Sequence, residues 1–271
     1  MVNQYPRTIA EAIEALREPH AVPVAGATDW MLRHSAQDVP IFLYGIESLA
    51  RIQEAEGGVR IGAACTHAQL MDDPRVPQML REACAGIAAP AVRNLATLGG
   101  NLCNASPAGD TLPVLYAADA RARLEGPDGA RELPISEMIL GPRRTALKKG
   151  ELLTEVFLPR CDGLWRVEKV GGRRAQAISK CSMAAWIRMR DGRVERFRAA
   201  FGAVGATVVE CREGEALLLG AAKEEIPARA AAVLEAFASA IAPIDDQRST
   251  AEYRRDVCLR LLGDFLREAA A

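Results

Sequence analysis

Apolar positions along this chain recur first every three or four residues and later every two, and the switches between these spacings mark out its elements. Ile9, Ala12, Ile13 and Leu16 share one helical face, opened by Thr8 with Glu11 three residues on, the pairing of a capping box. The apolar run "AVPVAG" predicts a buried strand ending at Gly26, and "ATDWMLRHS" after it predicts a helix. "IFLYGI" and "VRIGAAC" are strand candidates separated by the turn "EGG". Thr66 and Gln69 form a second capping box before a short helix ending near "DDP", and residues 76–88 predict another helix.

Neither spacing fits "RNLATLGGNLCNASPAGD", residues 93–110. Adjacent glycines, three asparagines, Thr97, Ser106, Pro107 and a closing Asp110 make it a compact irregular segment, of the kind that often carries function. Beyond it, "LPVLYAADA" reads as helix or turn, "ARARLEG" and "GARELP" as a hairpin, and "ELLTEVFLP" as a strand. "LWRVEKV" and the alternating runs around Asp191-Gly192 predict further strands, the dipeptide being a strong hairpin signal. Two long helical patterns follow. The last opens at Ser249 with Glu252 as box partner and carries Tyr253, Val257, Leu261 and Phe265 at four-residue spacing. Mixed strands and helices without strict βαβ alternation predict an α+β fold in two domains, 1–161 and 162–271. No G-x-G-x-x-G follows a strand, and the P-loop pattern is absent.

Composition then removes several function classes. With 49% hydrophobic and 25% charged residues the chain is that of a soluble globular protein. A net charge of −1 gives no sign of a basic nucleic-acid footprint or membrane surface. No apolar run approaches the roughly 20 residues that span a bilayer, and the start lacks a basic stretch followed by an apolar one. The chain reads as cytoplasmic. Its seven cysteines include no C-x-x-C, and its only histidines are His20, His34 and His67, so zinc or iron–sulfur ligation by this chain alone is not expected. No catalytic triad or carboxylate dyad is readable.

Two small-residue segments remain, "AGATD" (Ala25, Gly26, Ala27, Thr28, Asp29) and "TLGGN", with Thr97, Gly99, Gly100 and Asn101. Successive N–H groups in such turns can converge on phosphate oxygens with no side chain in the way, and Thr28, Thr97 and Ser106 add neutral donors. Asp110 either binds a sugar hydroxyl or caps the helix starting at "TLPVLY"; the residues alone favour the cap. The residues alone allow a solvated charged face for Lys169, Arg173 and Arg174, the reading favoured for the two arginines, and Cys103 reads as a buried structural thiol.

Five ordered stretches, "AGATD", "RNLATLGGNLCNASPAGDTLPVLYAADA", "KVGGRRAQAISKCSMAAW", "FGAVGAT" and "IDDQRSTAEYRRDVCLRLL", resemble the FAD-binding medium subunit of molybdenum hydroxylases of the carbon monoxide, nicotinate and xanthine dehydrogenase type. The resemblance runs from about residue 5 to residue 267. It implies an FAD-binding domain of the vanillyl-alcohol-oxidase type, built of two small α+β subdomains (about 1–55 and 56–161), followed by a C-terminal α/β flavoprotein domain. It also implies roles. Residues Ala25 to Asp29 approach the FAD diphosphate, Thr97, Gly99, Gly100 and Asn101 match the second loop, and Asp110 matches a carboxylate holding the sugar region. Leu153 and Lys169 match positions lining the flavin, the lysine near the ring, where a cation stabilises the anionic reduced form. Ile87 falls where some relatives carry an aromatic on the cofactor. Ala27 stands where many have a second glycine, a methyl that a negative φ would tolerate.

The function implied is electron transfer. A substrate is oxidised at a molybdopterin centre on a large partner subunit, electrons pass through [2Fe–2S] clusters on a small partner, and FAD on this chain delivers them to NAD⁺ or another acceptor. Two alternatives differ in class: a self-sufficient flavin oxidoreductase acting on a small substrate, and a flavin-free scaffold, against which the intact Thr97, Gly99, Gly100, Asn101 and Asp110 argue.

Overall fold

The structure, a computed structural model, describes residues 4–271. Its contacts fall into two compact units. Of the described residues, the first holds those up to Val76, Ile87–Ser106 and Asp119–Pro159; the second holds Pro77–Gly86, Pro107–Ala118 and Arg160–Ala271. Together they form the mixed α+β fold, and among the described residues all peptide bonds are trans.

A five-stranded antiparallel sheet forms the first unit's frame, in the order Ile52–Ala55, Gly58–Gly62, Leu152–Pro159, Arg121–Gly126 and Gly129–Pro134. Alternation decides its faces. Val59, Ile61, Leu124, Val156 and Leu158 are buried, while Arg60, Arg123 and Glu155 point the other way, Arg60 pairing with Glu155 at 2.6 Å. The strand Ile52–Ala55 was not expected: "EGG" joins it to its neighbour, with Gly57 at a φ of +75° that favours glycine.

A smaller parallel pair, Ala21–Val24 with Val39–Phe42, packs with the helix Ile9–Ala15 around Ala12, Leu16, Ile41, Ile46 and Leu49. Thr8 caps that helix, but the Glu11 carboxylate accepts from the N–H of Arg7, so the predicted box closes one residue early. "ATDWMLRHS" yields only a single 3-10 turn, Trp30–Leu32. The Asp38 carboxylate accepts from both the Trp30 indole and the Ser35 N–H, pulling the chain into a closed turn in place of a longer helix. The Thr66–Gln69 box is complete, and its helix runs His67–Asp72.

The second unit is built on a four-stranded antiparallel sheet: Leu164–Val170, Cys181–Arg190, Arg193–Gly202 and Val209–Glu210. Asp191 and Gly192, both at positive φ, make the predicted hairpin turn. Seven successive residues from Cys181 are buried because helices cover both faces. Toward the long helices Ile226–Ala240 and Ala251–Ala270 lie Cys181, Met183, Ala185 and Ile187, packed with Phe197, Phe237 and Phe265. On the opposite face Trp186 donates its indole N–H to the Ala117 carbonyl at 2.7 Å, fixing the helix Leu112–Ala117. The last helix is capped by Thr250, one residue beyond the predicted Ser249, and its buried stripe runs through Arg254, Cys258, Leu262 and Leu266. Tyr253 sits at its edge with Lys180 over its ring. Among the described residues no helix is long and apolar enough to cross a membrane.

Candidate cofactor site

In the first unit, three of the segments singled out in the sequence line one cavity of about 100 Å³. Ala25, Gly99, Gly100, Cys103, Glu151 and Leu153 are among its walls. That volume accepts only a part of a dinucleotide, since whole-ligand pockets run to roughly 300–1,000 Å³.

The stretch 93–110 is not an irregular loop. After the turn of helix Pro90–Arg93, it contains the helix Leu98–Asn104, with Thr97 as N-cap. This corrects the expectation that "TLGGN" offers an open row of amides. The Leu98 N–H donates to the Cys65 carbonyl, Gly99 to Ala63, Gly100 to the Thr97 Oγ1 and Asn101 to the Thr97 carbonyl. Glycine serves packing at one position and openness at the next. A Cβ on Gly99 would lie 2.6 Å from the Ala63 carbonyl oxygen, whereas one on exposed Gly100 would meet only the Thr97 Oγ1, at 3.0 Å. Cys103, three residues on, is exposed and lines the same cavity, so it is not the buried thiol expected from its type. Leu153 is buried and supplies an apolar wall.

"AGATD" behaves differently. No acceptor among the described residues takes the N–H of Gly26, Ala27 or Thr28. Ala27 has φ +59°, a left-handed conformation that costs an L-residue roughly 1–2 kcal/mol. The condition of a negative φ is therefore not met. The strain is held in place on both sides: the Ala27 carbonyl accepts from Met31 N–H, and Gly26 is so close to Leu95 that a Cβ would fall 1.8 Å from its carbonyl oxygen. A left-handed residue within a row of unengaged amides makes an anion-accepting concavity. Asp29, at its end, pairs with Arg33 at 3.2 Å on the surface.

Asp110 and Lys169 belong to the second unit, where they meet. The Lys169 ammonium lies 2.7 Å from Asp110 Oδ2 and also donates to the Gly86 carbonyl at 2.8 Å; Ser179 donates to Asp110 Oδ1 at 2.6 Å. The helix Leu112–Ala117 has Thr111 at its cap position, so Asp110 is not the cap that the residues alone favoured. Nor is Lys169 part of a solvated face, its side chain being only 20% exposed. Arg173 does stay exposed, folding back to donate to the carbonyls of Ala175 and Gln176. A cavity of about 100 Å³ adjoins the pair, with the buried Ser182 hydroxyl facing it unpartnered.

Sequence reasoning passed over two of these residues. Ser179 lay inside a quoted motif, yet its partner is 69 positions away and no local pattern announces it. Glu151, on the wall of the first cavity, is held below the usual carboxylate range by its bond to Arg131, so its charge is matched. Ile87 is buried, and its carbonyl accepts from Arg93.

Comparison with known proteins identifies the family of the chain. Residues 3–161 match the family model described as FAD binding domain in molybdopterin dehydrogenase, and residues 167–269 match the CO dehydrogenase flavoprotein C-terminal domain. The chain is 30% identical to the putative xanthine dehydrogenase FAD-binding subunit XdhB of Escherichia coli K12, over 97% of this chain and 94% of that one. It is 31% identical to the carbon monoxide dehydrogenase medium chain of Afipia carboxidovorans, over 97% and 93%. Among solved structures, carbon monoxide dehydrogenase from Hydrogenophaga pseudoflava superimposes with a TM-score of 0.91 at 28% identity, covering 98% of this chain and 96% of that one. Two matched domains in order, near-complete coverage and a shared fold make the conclusion plain: the chain belongs to the FAD-binding flavoprotein subunits of the molybdopterin dehydrogenase family.

Proposed function

We propose that this chain is the electron-exit subunit of a molybdenum-dependent dehydrogenase, taking electrons from [2Fe–2S] clusters on a partner chain and passing them to NAD⁺ or another acceptor. The observation that carries the reading is the row of unengaged amides at Gly26, Ala27 and Thr28, running on from Ala25 on the cavity wall. Such a row neutralises a diphosphate without lysine or metal. The Thr28 hydroxyl adds a donor, the bare side of Gly100 leaves room for the ligand, and Leu153 presents apolar surface to it.

In the second unit Asp110 keeps lone pairs beyond those given to Lys169 and Ser179, and these accept sugar hydroxyls. Lys169 retains a third donor and its charge for the ring system. When bound, FAD supplies the ability to take electrons one at a time and release them in pairs; the residues here bind and orient it and bias its charge. The metal centres belong on partner chains, since this sequence lacks cysteine spacing for clusters. The names of several relatives, among them the carbon monoxide dehydrogenase medium chains, describe one chain of a larger assembly, which supports the same division of labour.

Titrating FAD into the purified chain while recording the flavin absorption bands tests the site: binding that saturates at one flavin per chain is expected. No binding, by the chain alone or by the complex that co-purifies with it, would overturn the proposal.

A further inference from the structure

On the polar face of the five-stranded sheet, the first unit has a further cavity of about 190 Å³. Leu49 and Leu153 line the cavity described above, whereas Ser48 and Thr154, their neighbours in sequence, line this one. The 3-10 turn Glu47–Ala50 and the strand Leu152–Pro159 therefore stand between the two. Three guanidinium groups, of Arg51, Arg60 and Arg123, share the wall with the carboxylates of Glu125 and Glu155. Both acids are already matched. Glu155 accepts from Arg60 at 2.6 Å, and Glu125 accepts from Arg123 at 3.1 Å and from the buried Thr154 hydroxyl at 3.0 Å. Beyond the wall Glu132 lies 3.7 Å from both Arg60 and Arg121, one carboxylate with one added arginine, so the balance does not change. The charge left over is that of Arg51. Its carbonyl is pinned by the Gly62 N–H at 2.8 Å, yet among the described residues nothing pairs with its guanidinium, Glu47 four positions earlier included. The Ser48 hydroxyl and the Gln53 amide on the same wall are likewise unengaged.

We infer that this pocket binds the carboxylate of a small organic acid. A guanidinium meets a carboxylate through two parallel N–H···O bonds, and Arg51 supplies that fork. The Ser48 hydroxyl and the Gln53 side-chain N–H donate to the lone pairs that remain. Arg60 and Arg123 each keep N–H groups beyond those given to Glu155 and Glu125, so they surround the anion with donors while their own charges stay cancelled. The charge count selects the ligand: one negative charge neutralises the pocket, whereas a phosphate dianion leaves it negative. The volume sets the size. A cavity of about 150 Å³ holds a benzene ring, so an acid as large as benzoate fits here, its apolar body toward Ile9.

Phenylglyoxal, which modifies accessible arginines, reads the site residue by residue on the intact protein. Arg260 on the last helix serves as reference, its side chain being 76% exposed. The protein is treated with and without benzoate at matched ionic strength, then digested, and the modified peptides are quantified by mass. For a dissociation constant of the order of 1 mM, about 10 mM benzoate should slow modification of Arg51 roughly tenfold and leave Arg260 unchanged. Arg123, on the same wall, should be protected with Arg51, and inorganic phosphate should protect both less. Equal slowing at Arg51 and Arg260, or none at Arg51, would refute the inference; protection by phosphate as strong as that by benzoate would overturn the choice of a carboxylate. Arg51→Gln removes the fork from a side chain that nothing holds, so the variant should melt like the wild type. In it the protection of Arg123 by benzoate should vanish, and Arg123 still protected would place the ligand elsewhere and sink the proposal.

Discussion

Residues 25–29 and 97–101 look alike as sequence, each a few small side chains with a threonine and a polar closing residue. Their backbones are in opposite states. From Leu98 to Asn101 the amides are engaged by the carbonyls of Cys65, Ala63 and Thr97 and by the Thr97 hydroxyl, because the segment is the first turn of a helix. At Gly26, Ala27 and Thr28 they are unengaged, around an alanine held at positive φ. Glycine content therefore does not tell the two segments apart; which backbone donors are already engaged does. One segment offers hydrogen bonds, and the other offers a bare surface.

Four changes probe that contrast, the largest effect first. Gly26→Val places a Cβ within 1.8 Å of the Leu95 carbonyl oxygen, which no rotamer relieves. A loss of more than about 3 kcal/mol in urea unfolding is expected, at the upper end for overpacking; a near-normal transition would show that the first segment is not held as described. Acid acts on the second segment. Burial, with the Arg93 charge adding to it, holds the His67 imidazole down to about 4, and the backbone N–H of His67 donates to the Ala96 carbonyl, just ahead of Thr97. The neutral ring is favoured in the fold, so its contribution is complete above the unfolded value of 6.5 and is lost as pH falls toward 4. Stability should drop by about 3 kcal/mol across that window. His67→Gln should flatten the drop, and an unchanged pH profile in that variant would count against the assignment.

Gly100→Val separates binding from folding. With only the Thr97 hydroxyl near the added Cβ, circular dichroism and melting should stay near normal. FAD affinity should fall by about 100-fold, or roughly 2.7 kcal/mol, and full occupancy would remove Gly100 from the site. Ala27→Gly, the mildest change, relieves the left-handed strain and should stabilise the chain by about 1 kcal/mol. A destabilised variant would mean that the methyl makes contacts outweighing its backbone cost.

Those contrasts also explain what could be read in advance. The Thr66–Gln69 box and the Asp191–Gly192 turn were legible because their chemistry closes within four residues. The helix Leu98–Asn104 was not, since adjacent glycines each disfavour helix by roughly 1 kcal/mol relative to alanine, and its first amides are held by carbonyls more than thirty residues back. Asp110 had a plausible local role as a cap, while its actual partners, Lys169 and Ser179, lie 59 and 69 positions away. Among the candidate cofactor residues, what the sequence offered was their type; which donors remain free depended on tertiary contacts. The last helix shows the limit on a smaller scale: moving the cap from Ser249 to Thr250 accompanies a buried stripe through Arg254, Cys258 and Leu262 in place of Tyr253, Val257 and Leu261.

Helices Gln78–Ala85 and Leu112–Ala117 are interleaved in sequence with the first unit, yet their partners are strands that begin at Leu164. During synthesis both helices leave the ribosome long before those strands exist. Their apolar faces, Leu80, Cys84, Val114 and Leu115 among them, must wait for the chain to grow past Trp186, whose indole anchors the second helix. No single cut separates the two units, because the chain passes from one to the other five times. A nascent chain stopped near residue 160 would carry a finished sheet and two orphaned helices, a natural client for a chaperone.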